Sequence, residues 1–158
     1  MNLIRLRAGE WLAAAAAIAI PITLALPWYG ARARETTVTG FESFTAIDVL
    51  LVLSAAVGLA LAILQATQEG PALPLAFGVL TVTAGGIATL LALYRVIDEP
   101  GPDEFIDVRL GAWLGLVATA ALTAGGWLSI ADERVRGLPP GPEPELRPRP
   151  RIAHRAQP

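Results

Sequence analysis

Cysteine is absent from all 158 residues, lysine is absent too, and histidine and methionine each occur once. Without cysteine there is no disulfide, no thiolate metal site and no cysteine nucleophile. The single histidine, His154, sits in a proline-rich tail, so one chain cannot assemble a histidine metal cluster. All 12 basic residues are therefore arginine, a bias that, with the abundance of alanine, glycine and proline, reflects a GC-rich genome rather than a chemical need. Charge is also sparse. Charged residues make up 16% of the chain at a net charge of −2, and they are segregated into loops and ends. No glycine-rich phosphate loop follows a strand and no metal-ligand spacing occurs. Neither a paired acid nor a nucleophile with a base converges at one depth, and Ser54 and Ser129 have no histidine partner nearby. The expectation is a protein that is not an enzyme, with no cofactor, no metal and no nucleic-acid partner.

What the chain does have is apolar length. Hydrophobic residues reach 54%, above the roughly 45–50% of ordinary globular domains. They cluster in four stretches, about 11–28, 45–64, 72–94 and 110–130. A helix crosses about 30 Å of hydrocarbon with roughly 20 such residues. The reading is an all-α membrane protein: a four-transmembrane-helix up-down bundle over residues 1–133, multi-pass in the plasma membrane. Residues 134–158 form a tail rich in proline, with Arg147, Arg149, Arg151 and Arg155, and that composition cannot build a core.

The first stretch admits a second reading as a secretory signal, with Arg5 and Arg7 ahead of an apolar run and Ala31-Arg32-Ala33 as a cleavage site. Three further spans follow and the run ends in Pro27-Trp28-Tyr29, so a retained span is the expectation, with Pro21 kinking it. The Thr36–Thr39 run has β-propensity and is expected to pair with the third loop.

Arginine placement sets the orientation. With both termini cytoplasmic, Arg5, Arg7, Arg134, Arg136 and the four tail arginines lie inside, against Arg32, Arg34, Arg95 and Arg109 outside. The positive-inside rule favours that arrangement. It also places Trp11 and Trp127 at the inner interface, and Trp28, Tyr29, Tyr94 and Trp113 at the outer one, as two belts of interfacial anchors.

Helices in lipid associate through close backbone approach. Small residues recur at spacings of four, which keeps them on one helix face: Ser54, Gly58 and Ala62 on the second span, Gly85 on the third, and Gly111 with Gly115 on the fourth. Packing within one bundle is the expected use, ahead of a homo-oligomer interface. The echoes Thr83–Gly86 against Thr123–Gly126, and Gly9–Leu12 against Gly111–Leu114, read as low complexity rather than an inverted repeat. Intramembrane charge is functional by default, and here it is nearly confined to Asp48. With Arg95 and Arg109 it defines an expected outer-face polar cluster, either an ion pair or an acid placed at its own helix N-terminus. Glu10, beside Arg7, reads as solvated boundary. The tail reads first as solvated chain with no specific contact, its positive field diluted by Glu143 and Glu145; otherwise its arginines suit contact with anionic lipid, or its prolines suit a docking peptide.

Several landmarks occur together: Leu26-Pro27-Trp28-Tyr29, Phe41-Glu42-Ser43-Phe44, Ile47-Asp48-Val49-Leu50, Leu93–Asp98, Gly111–Gly115 and Gly126-Trp127-Leu128. Over residues 8–133 the chain resembles a group of small, uncharacterised four-span membrane proteins of high-GC Gram-positive, actinobacterial-type bacteria. It departs from them at Phe41, where a tryptophan is frequent. The resemblance implies no activity or ligand. The expected function is that of a structural or accessory subunit acting on the bilayer and a membrane-protein partner. The alternative is a small transporter or channel subunit using Asp48 with Arg95 or Arg109 at an outer vestibule.

Overall fold

The computed structural model describes residues 6–31, 36–43, 46–67, 72–99 and 106–135; the tail from residue 136 onward lies outside them. Helix α1 spans Ala8–Ala25, α3 Ile47–Thr67, α4 Ala72–Ile97 and α5 Leu110–Val135, with a single turn, α2, at Gly40–Ser43. Strand β1 is Pro27–Ala31, β2 Thr37–Thr39 and β3 Ile106–Val108. The four long helices are each long and apolar enough to cross a membrane, which makes this a multi-pass membrane protein with a mostly helical fold.

The helices close a ring. Helix α1 packs on α3 and α5, and α4 packs on α3 and α5, while α3 and α5 touch only slightly across the diagonal. At that centre Leu122 of α5 is fully buried and lies where a side chain on Gly58 of α3 would go. The interfaces are built from small groups. Gly9 and Gly125 bring α1 and α5 into backbone contact, since a Cβ on Gly125 would fall 2.6 Å from Ala13 N and 2.8 Å from Gly9 O. Gly85 of α4 faces Thr123 of α5, a Cβ there lying 2.8 Å from Thr123 Oγ1. Ser54 and Ala62 on α3 are buried as well. Most described hydroxyls in these helices bond to a carbonyl of their own helix. Ser54 donates to Leu51 O at 2.7 Å, Thr81 to Phe77 O at 2.7 Å and Thr119 to Leu116 O at 3.0 Å. A hydroxyl in hydrocarbon needs such a partner, and its own helix carries the nearest one.

Two expectations are corrected. The first span does not run helical to Trp28: α1 ends at Ala25, and Pro27 opens a strand. Pro21 lies inside α1. The Thr37–Thr39 strand does not meet the third loop directly. The sheet order is β2-β1-β3, so β1 separates them, with Tyr29 opposite Val38 on one side and Val108 on the other. Because β1 follows the first span at once and β3 leads straight into the fourth, the three strands cap one end of the bundle.

Candidate functional site

At the capped end, β1 carries its aromatic residues inward. Trp28 is fully buried and Tyr29 nearly so, which corrects their reading as interfacial anchors. The cause is local. The last carbonyls of a helix lack intrahelical donors, and Thr23 O of α1 takes two: the Leu26 N–H at 3.1 Å and the Trp28 Nε1–H at 2.8 Å. That bond folds the indole back onto the bundle. Gly111 and Gly115 of α5 make room for it: a Cβ on Gly115 would sit 2.5 Å from Trp28 Cζ2, and one on Gly111 would strike Pro27 O. The glycine pair expected to serve helix packing therefore receives a strand and its tryptophan. Arg109 N–H donates to Trp28 O at 2.7 Å and holds the strand from the other side.

The Tyr29 hydroxyl donates to Arg95 O at the end of α4, at 2.8 Å. Burial pushes its phenol up to about 12; Arg95 opposes the rise, and Glu99 and Asp98 add to it. The Arg95 guanidinium lies 5.5 Å from the centre of the Tyr94 ring. The Arg109 guanidinium covers Gly30 of β1, filling the space a side chain there would need. Tyr29, Arg95 and Arg109 thus gather round β1, but Asp48 does not join them. Asp48 pairs with neither arginine; its Oδ1 accepts the Val49 N–H at 2.7 Å in the first turn of α3. Position explains the difference: Asp48 starts its helix, where unpaired N–H groups and the helix dipole both favour an acid. Trp11, Tyr94, Trp113 and Trp127 do lie on the outside of the bundle, each about half exposed or more.

The opposite end holds what the sequence concealed. Glu10 is 1% exposed, not solvated. Its Oε2 accepts the Arg7 N–H at 2.7 Å and its Oε1 accepts the Ser129 hydroxyl of α5 at 2.8 Å. Arg7 reaches across to Asp132, 3.9 Å from its carboxylate and 3.4 Å from its carbonyl oxygen. The start of α1 is therefore tied to the end of α5, and the two helices run antiparallel. The signal available was the Arg7-to-Glu10 spacing, since an acid at the third helical position commonly returns to the N-cap N–H. Ser129 is buried beside Glu10, so the hydroxyl–carboxylate pair holds helices together and offers no reachable nucleophile. Among the described residues no group of three His, Cys, Asp or Glu is placed to hold a metal ion.

No protein-family model matches the chain, and no curated protein or solved structure matches it.

Proposed function

We propose that the chain is a plasma-membrane protein with both termini cytoplasmic, serving as a non-enzymatic structural or accessory subunit. A place among the small four-span proteins of high-GC Gram-positive bacteria belongs to the same proposal. The observation that carries it is the filling of the bundle. Among the described residues, apart from Asp48 in the first turn of α3, no ionisable side chain lies on the helices between Glu10 at one end and the Tyr29–Arg95 contact at the other. Leu122, Leu51, Leu61, Ile20 and Thr119 fill that interior, and Trp28 closes one end. Such a bundle supplies a rigid body in lipid and no path for an ion.

The orientation follows from charge. Arg7 and Asp132 share one end of the bundle, which supports putting the start of α1 and the end of α5 on one side, and the arginine balance favours the cytoplasm for that side. The transport alternative relied on Asp48 meeting Arg95 or Arg109, and Asp48 bonds to its own helix instead.

Three measurements test this reading. A reporter fused after Pro158 is expected to be active on the cytoplasmic side; activity outside overturns the orientation. Full-length protein in liposomes is expected to pass no ions or protons, and to co-purify with one membrane partner in fixed ratio from its native cells. Flux that disappears in Asp48→Asn would establish the transporter instead.

A further inference from the structure

Helices α4 and α5 separate on their outer side to leave an open groove of about 720 Å³, lined by Gly86, Thr89, Leu90, Ala124, Trp127 and Leu128 among others. We propose that this groove is a binding site for one acyl chain of a membrane phospholipid.

The chemistry of the lining favours an apolar occupant. The groove's hydroxyls are already bonded: Thr89 donates to Gly85 O at 2.8 Å and Thr123 to Thr119 O at 3.0 Å, and the two oxygens lie 3.2 Å apart. No charged group lines the groove, and both walls belong to membrane-spanning helices, so hydrocarbon is the medium in contact with them. The floor is kept open by one residue. Every other described glycine has a neighbour within 4 Å of the position its Cβ would take, whereas Gly86 has nothing there.

Size separates a lipid chain from a second copy of the protein. The groove is lined by eight residues, and its α5 wall, Ala120 to Leu128, covers about 12 Å at 1.5 Å per residue. A stable protein interface buries about 800 Å² per partner through roughly 20–30 residues a side. The groove is far short of that and well matched to one thin, flexible chain. Its direction agrees: Trp127, 62% exposed, stands toward the end of α5, where an indole favours headgroup depth. Gly86, Thr89 and Leu90 lie mid-helix on α4. A chain entering beside Trp127 would run from the interface toward the bilayer centre.

The test uses full-length protein, stripped of lipid in detergent and titrated with phosphatidylcholine brominated on its acyl chains. Trp11→Phe and Trp113→Phe leave Trp127 as the reporter, with buried Trp28 as the unquenched reference. The expected result is saturable quenching of Trp127 at stoichiometric lipid, lost in Gly86→Leu and Ala124→Leu and retained in Ala56→Leu, on an exposed stretch of α3. Gly86→Leu enters open space and is a better helix former than glycine, so it should fold, and Trp28 emission reports whether it does. Quenching that rises without saturating, or that is the same with the groove filled, overturns the site. A crosslinked dimer through Trp127 that excludes brominated lipid assigns the groove to a second copy and overturns it equally.

Discussion

The Trp28 indole packs against Gly115, where an added Cβ would come within 2.5 Å of Cζ2 and 2.9 Å of Cη2. That contact joins the strand leaving the first span to the helix of the last, more than eighty residues later. It predicts non-additive substitutions. Gly115→Ala is expected to destabilise the protein by about 1–3 kcal/mol through overpacking. In a Trp28→Ala background the same change should cost little, because the ring it strikes is gone. Unfolding by SDS in mixed micelles measures the coupling, expected at about 0.5–3 kcal/mol for residues in contact. Additive losses would mean that the indole does not occupy the glycine face.

Glu10 and Ser129 lie 119 residues apart in sequence and 2.8 Å apart in space. Removing the hydroxyl with Ser129→Ala leaves a buried carboxylate oxygen short of a donor and is expected to cost about 1–3 kcal/mol. Glu10→Leu should cost more, since it also orphans the Arg7 N–H. Glu10→Gln should fall between, because the amide keeps one acceptor. Equal stability of all three in the same unfolding assay would mean that water already reaches this end.

Asp48→Asn is expected to be nearly silent. The amide oxygen can still accept the Val49 N–H, and a change at an exposed helix start away from other partners shifts stability by about ±0.5 kcal/mol. Charge reversal at Arg95 or Arg109 should not alter that result. A rescue of Asp48→Arg by Arg95→Asp or Arg109→Asp would reinstate an ion pair that the folded chain does not form.

Tyr29 gives the protein an alkaline limit. Its phenol is raised from the ordinary 10 to about 12 by burial, so the folded state holds the proton more tightly than the unfolded one. The sign follows from linkage: this contribution is complete below pH 10 and is lost as pH rises from 10 towards 12. Tyr29→Phe should be less stable at neutral pH, by about 1 kcal/mol for the lost bond to Arg95 O, yet decline less between pH 10 and 12. Phenolate absorbance and SDS unfolding at matched pH check both halves. An identical alkaline decline in native protein and Tyr29→Phe would move the cause elsewhere.

Much of the architecture was legible because lipid imposes a length rule. An apolar stretch of about 20 residues has few alternatives to a spanning helix, and all four stretches are helices within a few residues of where the sequence set them. The misplaced residues share a cause. Trp28 and Tyr29 look like Trp11 and Trp113 in sequence, an aromatic at the end of an apolar run. What differs is the glycine face on α5 and the Thr23 carbonyl at the end of α1, and these meet the indole only after folding. Glu10 looked solvated because its partner, Ser129, is supplied by the far end of the chain. Asp48 shares its expected depth with Arg95 and Arg109, but depth does not tell which way a first-turn carboxylate turns.

Composition and periodicity alone determined the solvent of this protein, its number of spans and the scarcity of charge within them. These depend on the free energy of each segment in hydrocarbon, a local sum over its own residues. Tertiary structure alone decided that a three-stranded cap closes one end, that Gly111 and Gly115 cradle a tryptophan, and that Glu10 is buried. Each of those depends on a group from a distant segment arriving within a few ångströms, a distance no run of residues contains.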